Sequence, residues 1–242
     1  MEFEEALALV RTGQVRPGGI GILKEKTLHA TLKLWLDEDM THHEMPLPEG
    51  CVADIFDGVR VTEIQTGNFS GFRPKLQKLL ESYPVTVVYP LVRRKWVRWI
   101  HPETGEATPP RRSPKTGTWT DAGAELIYIL PCLTHPNLTL RLVLLDVEEQ
   151  RLADGWSRDG KRGSHRADRL PVALGDSVTL HAPADYRVLL PEGLPDTFTA
   201  AQFGKLSRLQ GRKLNGTLKL LMALELVTRE KVGREFRYTV GE

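Results

Sequence analysis

Only two cysteines, Cys51 and Cys132, occur in the 242 residues. Two thiols so far apart make no disulfide framework and fit a reducing compartment. Cys132 with His135 would be half a zinc site, and no second pair stands at metal-ligand spacing. No apolar run approaches the roughly 18 residues needed to span a bilayer, and the acidic first residues argue against a signal peptide. A cytoplasmic protein with no membrane partner is the expectation. Internal repeats are absent. The basic stretch Asp159-Gly160-Lys161-Arg162-Gly163-Ser164 lacks the G-x4-G-K-[ST] spacing of a phosphate-binding P-loop and reads as an exposed loop.

Charge of one sign is also scarce overall, at a net +2, but it is unevenly placed. Residues 1–63 carry six Lys or Arg against twelve Asp or Glu, so the remainder is strongly basic. Basic residues gather in Arg93, Arg94, Lys95 and Arg98, in Arg111, Arg112 and Lys115, and from Arg158 to Arg169. Trp96, Trp99, Trp119 and Trp156 lie among them. Cations that neutralise phosphates beside indole faces that stack on bases suit a single-stranded or distorted nucleic acid, although indoles are equally at home in a core.

The acidic part contains the most informative stretch, Val52 to Gln65. Asp57-Gly58 between two β-prone runs predicts a hairpin with a two-residue loop. That register sets Asp54 opposite Val61 and places Asp54, Val61, Glu63 and Gln65 on one face, with Ala53, Ile55 and Ile64 on the other. Asp54 and Glu63 become diagonal neighbours roughly 7–8 Å apart. Two carboxylates at that spacing suit a hard divalent cation, and such a cation stabilises phosphoryl charge and activates water in phosphodiester hydrolysis. Alone, the same acids would also fit an ordinary solvated hairpin face, so the flanking elements decide.

Those elements are legible. An upstream helix from Leu23 to Leu36 has Leu28, Leu32, Trp35 and Leu36 as an apolar stripe, with Glu25 and His29 on or beside it. Glu44 falls on a short first strand. A second amphipathic helix, about Ser70 to Tyr83, buries Phe72, Leu76, Leu79, Leu80 and Tyr83, and Pro84 closes it. Val85 to Leu91 then reads as a strand buried on both faces, parallel to the strand bearing Glu63 because a helix crosses between them.

With Asp54, Glu63 and Gln65 in that order of elements, residues 20–91 resemble the PD-(D/E)XK, or restriction-endonuclease-like, nuclease superfamily. Ala53-Asp54-Ile55 followed by Glu63-Ile64-Gln65, with the Glu25-x3-His29-x3-Lys33 helix upstream, is most similar to its CoiA-like branch, in which Gln replaces the usual Lys. The resemblance implies an α/β fold with an α/β/α core and a central mixed sheet. It implies Asp54 and Glu63 as ligands of Mg2+ or Mn2+, with the Ile64 carbonyl as a third oxygen. Gln65 would orient the attacking water and cannot act as its base, because an amide does not titrate. Glu25 and Glu44 would tune that water from a second layer.

Between residues 93 and 195, Trp96–Ile100, Leu126–Leu130, Leu138–Val147, Ser177–His181 and Tyr186–Leu190 have strand-like apolar content. Beyond that extension the sequence changes character. Thr199 is a candidate N-cap for a helix carrying Phe203, Leu206 and Leu209, a second helix spans Lys213 to Leu226, and a hairpin turns at Val232-Gly233. This order resembles a winged helix-turn-helix, giving a division into 1–190 and 195–242. Residues 205–237 hold nine basic and three acidic residues, the footprint of a phosphate-facing surface. In such a fold the second helix enters the major groove, so Arg212, Lys213, Asn215, Thr217 and Lys219, with Arg234 on the wing, are the expected DNA contacts. A metal-dependent DNA nuclease with a winged-helix docking module is the principal expectation, and a non-catalytic DNA-binding or assembly protein on the same scaffold is the alternative. A homodimer would suit cutting of both strands, although no heptad seam marks one.

Overall fold

A computed structural model describes residues 1–14, 27–156 and 162–241. Two helices, α1 (Phe3–Thr12) and α2 (Thr27–Leu36), precede three short strands, β1 (His43–Pro46), β2 (Val52–Phe56) and β3 (Val61–Ile64). Helix α3 (Phe69–Ser82) then crosses to the long strand β4 (Val85–Ile100). After β5 (Arg111–Arg112) and the one-turn α4 (Gly123–Leu126), β6 (Leu138–Trp156) and β7 (Arg162–Leu180) form an extended antiparallel pair.

The seven strands make one mixed sheet in the order β1-β2-β3-β4-β6-β7, with β5 beside β4. β3, β4 and β6 are mutually parallel, as the α3 crossover requires, and the other pairs are antiparallel. Helices cover both faces. On one, Phe3 and Leu7 of α1 and Leu28 and Leu32 of α2 pack on Ile64, Val88, Val143 and Val147. On the other, Phe72, Leu76, Leu79 and Leu80 of α3 pack on Val61, Val85, Val87, Leu140 and Leu142. The Asn68 carboxamide caps α3 by accepting from Gly71 N at 3.4 Å, and Tyr83 in extended conformation ends it before Pro84.

Three expectations change. Val85–Leu91 and Trp96–Ile100 are one strand, interrupted only by a register shift between Val92 and Arg94, so Arg93 is a bulged residue while Arg94 and Lys95 stay paired with β6. Leu126–Leu130 is helical, formed by α4 and a 3-10 segment over Ile127–Cys132, because an apolar run this short is equally compatible with a buried helix. Pro183–Leu189 is a 3-10 helix rather than a strand. The Asp185 carboxylate fixes that turn by accepting from His181 N at 2.7 Å and Ala182 N at 2.8 Å.

The C-terminal part consists of β8 (Thr197–Phe198), α5 (Ala200–Ser207), α6 (Gly211–Ala223), β9 (Val227–Val232) and β10 (Glu235–Val240), with sheet order β8-β10-β9. Thr199 caps α5 in a reciprocal box with Gln202. The hairpin tip is Gly233-Arg234, since Val232 pairs with Glu235. Phe203, Leu218, Leu221 and Tyr238 belong to the same buried cluster as Leu126 and Ile129. The seat is close, because a Cβ built on Gly123 would lie 2.6 Å from Thr217 Cγ2. Among the described residues no helix is long and apolar enough to cross a membrane.

Candidate functional site

The loop between β2 and β3 has four residues, Asp57 to Arg60, because Phe56 pairs with Val61 and Ile55 with Thr62. The expected turn at Asp57-Gly58 gives way to one centred on Gly58-Val59, closed by Asp57 N to Arg60 O at 3.4 Å and by Asp57 Oδ1, which accepts from Val59 N (2.9 Å) and Arg60 N (2.7 Å). The observed pairs end at Ile55–Thr62, so Asp54 does not pair with Val61 as expected; beyond the last pair Ile64 N donates to the Asp54 carboxylate. Asp54 and Glu63 lie close enough for the charge of Asp54 to act on Glu63.

Each acid is held from a different helix layer. His29 of α2 meets Asp54 Oδ2 through Nε2 at 3.2 Å, and Ile64 N donates to the same oxygen at 2.7 Å. Burial alone would raise the Asp54 pKa. The His29 hydrogen bond and charge, the Ile64 N–H and the charge of Lys75 more than offset it and bring the pKa below its ordinary value. Glu63 is 3 % exposed. Its Oε2 accepts from Lys75 Nζ of α3 at 2.6 Å, whereas Oε1 is buried with no hydrogen-bond partner. Burial first, and then the neighbouring Asp54 charge, push Glu63 up to about 7, against the opposing pull of Lys75. Two acids are thus driven apart in proton affinity by their surroundings, a pattern found where carboxylates carry chemistry.

Gln65 follows β3 by one residue. Its main-chain N–H bonds Val88 O at 2.9 Å, and its side-chain amide nitrogen donates to Gly67 O. Ile64 contributes its N–H to Asp54 and its side chain to the α1–α2 layer. Glu44 on β1 is paired with Lys33, a lysine only 3 % exposed, one turn beyond His29 on α2. Glu25 lies outside the described residues. Sequence reasoning misses Lys75, whose available signal is its place one residue before Leu76, at the rim of the α3 stripe. No group of three or more His, Cys, Asp or Glu side chains able to hold a metal occurs among the described residues.

The basic clusters divide. Arg93 and Arg94 both bond Asp146, a carboxylate 1 % exposed, and Arg98 bonds Glu148. Those cations therefore stabilise the β4–β6 pair and are not a free phosphate-facing patch. Of the C-terminal candidates, Arg212, Asn215 and Lys219 are exposed at helical spacing on α6, and Arg234 is exposed at the hairpin tip. Thr217 is not placed to contact a ligand, being fully buried against Gly123 with its hydroxyl bonded to Lys213 O at 3.0 Å. Lys213 lines a cleft of about 380 Å³ between α6 and the sheet, shared with Thr66, Tyr89, Lys95, Lys115 and Arg169.

A family described as a domain of unknown function (DUF8091) matches residues 26–181. That span includes Asp54, Glu63, Gln65, Lys75 and Arg169 and stops before α5. An uncharacterized protein of Treponema pallidum (strain Nichols) is 28 % identical over 181 residues, covering 74 % of this chain and 71 % of that protein. No solved structure matches. With well over half its length matched by the family model, the chain belongs to the DUF8091 family.

Proposed function

We propose that the protein is a divalent-metal-dependent nuclease of the PD-(D/E)XK type that hydrolyses phosphodiester bonds in DNA. The observation that carries this reading is the buried Glu63 carboxylate, with one oxygen on Lys75, the other without a partner, and Asp54 beside it. An orphaned buried carboxylate oxygen next to a second acid is the donor set a hard cation uses. Asp54, Glu63 and the Ile64 carbonyl would hold Mg2+ or Mn2+. Such an ion supplies charge for the phosphoryl oxygens and a water of lowered pKa.

The chain's own residues account for the rest. His29 and the Ile64 N–H keep Asp54 ionised and fixed in orientation. Lys75 brings from α3 the positive charge that the motif lacks at Gln65, and would steady a phosphate oxygen or the attacking water. Gln65, tethered to Gly67, serves as a neutral positioning group. Burial of Glu63 under α3 excludes bulk water and strengthens each of these interactions.

The element order β8-α5-α6-β9-β10 supports a winged-helix reading of the C-terminal part. There Arg212, Asn215 and Lys219 would face a duplex, with Arg234 at the wing tip and Arg229 stacked over exposed Phe236 at 4.5 Å. Two free cysteines support a reducing, cytoplasmic setting. A homodimer is the form that would cut both strands.

The alternative, a non-catalytic DNA-binding scaffold, is favoured by one feature: Lys75 already neutralises Glu63. Incubation with single-stranded, duplex and branched DNA and with RNA, in Mg2+ or Mn2+, separates the two readings. Metal-dependent cleavage lost in Asp54→Ala and Glu63→Ala is expected. Cleavage that persists in both variants sinks the site, and no cleavage of any substrate favours the scaffold.

A further inference from the structure

The four cations of the 380 Å³ cleft come from four separate segments of chain. Lys95 comes from β4, Lys115 from the segment beside it, Arg169 from β7 and Lys213 from α6. The Lys115 segment is clamped to β4 by Ser113 N to Lys95 O at 2.7 Å and Gly117 N to Arg93 O at 2.8 Å. Only glycine fits there, because a Cβ on Gly117 would fall 2.1 Å from Val92 O. The placement of Lys115 is therefore fixed by backbone and is not a loose surface arrangement.

Charge in the cleft is not balanced from within. Asp121 is engaged by Lys115 at 3.2 Å and Thr118 N at 3.0 Å, and Glu125 accepts from Phe69 N at 3.2 Å. Behind them Glu149 is bonded most tightly by Arg151, at 2.6 Å. Lys95 and Arg169 share the same carboxylate as longer ion pairs, at 3.5 and 3.7 Å, so one acid faces three cations. Arg169 Nε is buried and has no hydrogen-bond partner among the described residues. Lys213 makes no ion pair among them. A desolvated guanidinium N–H left unused is costly unless something bonds it, and a planar guanidinium suits a phosphate best.

We propose that this cleft is a phosphate-binding pocket that takes the phosphate of a single nucleotide unit, held by the Arg169 guanidinium, with Lys95, Lys115 and Lys213 completing the cationic lining. The size is that of a small-ligand site, toward the lower end of the usual range of roughly 300–1,000 Å³. The Tyr89 hydroxyl adds a neutral donor, since burial keeps its proton on. Position specifies the ligand further. Thr66 follows Gln65, and Tyr89 lies two residues along β4 from Val87, the partner of Glu63. Two strand residues span roughly 7 Å, so the pocket begins within one nucleotide's reach of the two acids, just past the carboxyl end of β3. Assignment to a nucleotide rests on the nuclease reading, whereas assignment to a phosphate does not.

The nucleotide would be the end of a strand or a free mononucleotide. Fluorescence anisotropy in EDTA, where cleavage is blocked, distinguishes them with labelled oligonucleotides ending in 5′-phosphate, 3′-phosphate or hydroxyl, each competed with inorganic phosphate and a 5′-mononucleotide. A phosphate-ended strand is expected to bind at least about tenfold more tightly than a hydroxyl-ended one, with the advantage lost in Arg169→Gln and in Lys213→Ala. Displacement by mononucleotide with no preference among ends supports the free-nucleotide source. Equal affinity for all ends with no displacement by either competitor overturns the proposal, as does an end preference that survives both substitutions. Lys213 is exposed on α6, so Lys213→Ala still decides if Arg169→Gln fails to fold. Asp54-dependent cleavage without phosphate binding would leave the nuclease reading standing and this one refuted, and the reverse result would do the opposite.

Discussion

Glu63→Gln should stabilise the metal-free protein at alkaline pH while removing its response to metal. In the folded chain the Glu63 carboxyl is raised from an ordinary 4.5 to about 7. The native state therefore holds a proton that the unfolded chain releases, and stability declines as pH rises from about 4.5 through 7. Above that window the ionised, buried side chain costs about 3 kcal/mol relative to a group with unperturbed affinity. Glutamine carries no such charge. Its own loss is the contact with Lys75, whose side chain is 28 % exposed and can return to water, so that contact contributes only about 1 kcal/mol. In EDTA, urea unfolding should show Glu63→Gln more stable than the parent by about 1–3 kcal/mol at pH 8 and nearly equal to it at pH 5. Millimolar Mg2+ or Mn2+ at pH 8 should raise the parent and leave the variant unchanged, since a ligand that binds only the folded state stabilises it by mass action. A variant no more stable at pH 8, or a gap of the same size at both pH values, would refute the account of Glu63 as a strained acid awaiting a cation.

Asp146 behaves oppositely. Burial would raise its pKa, but hydrogen bonds from Arg93 and Arg94 bring it down to about 2. Its contribution, about 2 kcal/mol, is present above about pH 4 and is lost as pH falls through 2. Asp146→Asn should flatten the acid limb of the stability curve, which acid titration of circular dichroism measures. Gly123→Ala should destabilise the fold by about 1–3 kcal/mol, because the added methyl meets buried Thr217; an unchanged melting temperature would contradict the close seating of α6. His29→Ala should raise the Asp54 pKa by removing its main partner, moving the acid limb of any metal-dependent cleavage profile to higher pH. Arg234→Ala and Lys219→Ala should each weaken DNA binding uniformly across sequences and lower the salt slope by about one, and retention of the full slope would exclude both as phosphate contacts.

The nearness of Asp54 to Glu63 is legible in the sequence because both stand on strands joined by one tight turn. The turn is centred one residue later than expected, on Gly58-Val59, and still joins the two strands. The parallel placement of β4 follows equally from the α3 crossover. Lys75 is not legible. On α3 it is one cation at the rim of an apolar stripe, and only the descent of that helix onto β3 brings it to Glu63. Arg169 is hidden for a different reason. The β6–β7 ladder shifts register at four places, and each shift exchanges inward and outward positions. Alternation counted along the strand therefore cannot say that this arginine, within a basic tract, turns toward the sheet. Arg93 and Arg94 mislead in the opposite sense, since their acid, Asp146, lies 53 and 52 residues away.

Helix α6 faces two ways. Lys213 looks into the cleft, while Arg212, Asn215 and Lys219 look outward, and no side chain cushions the helix where Thr217 meets Gly123. Along its axis Lys213 and Lys219 are about 9 Å apart. On the proposed reading this makes α6 a gauge block. The offset between a duplex resting on its outer surface and a nucleotide entering the cleft is set by one rigid rod, and the product ends should fall at a constant interval from the docked segment whatever the sequence between them.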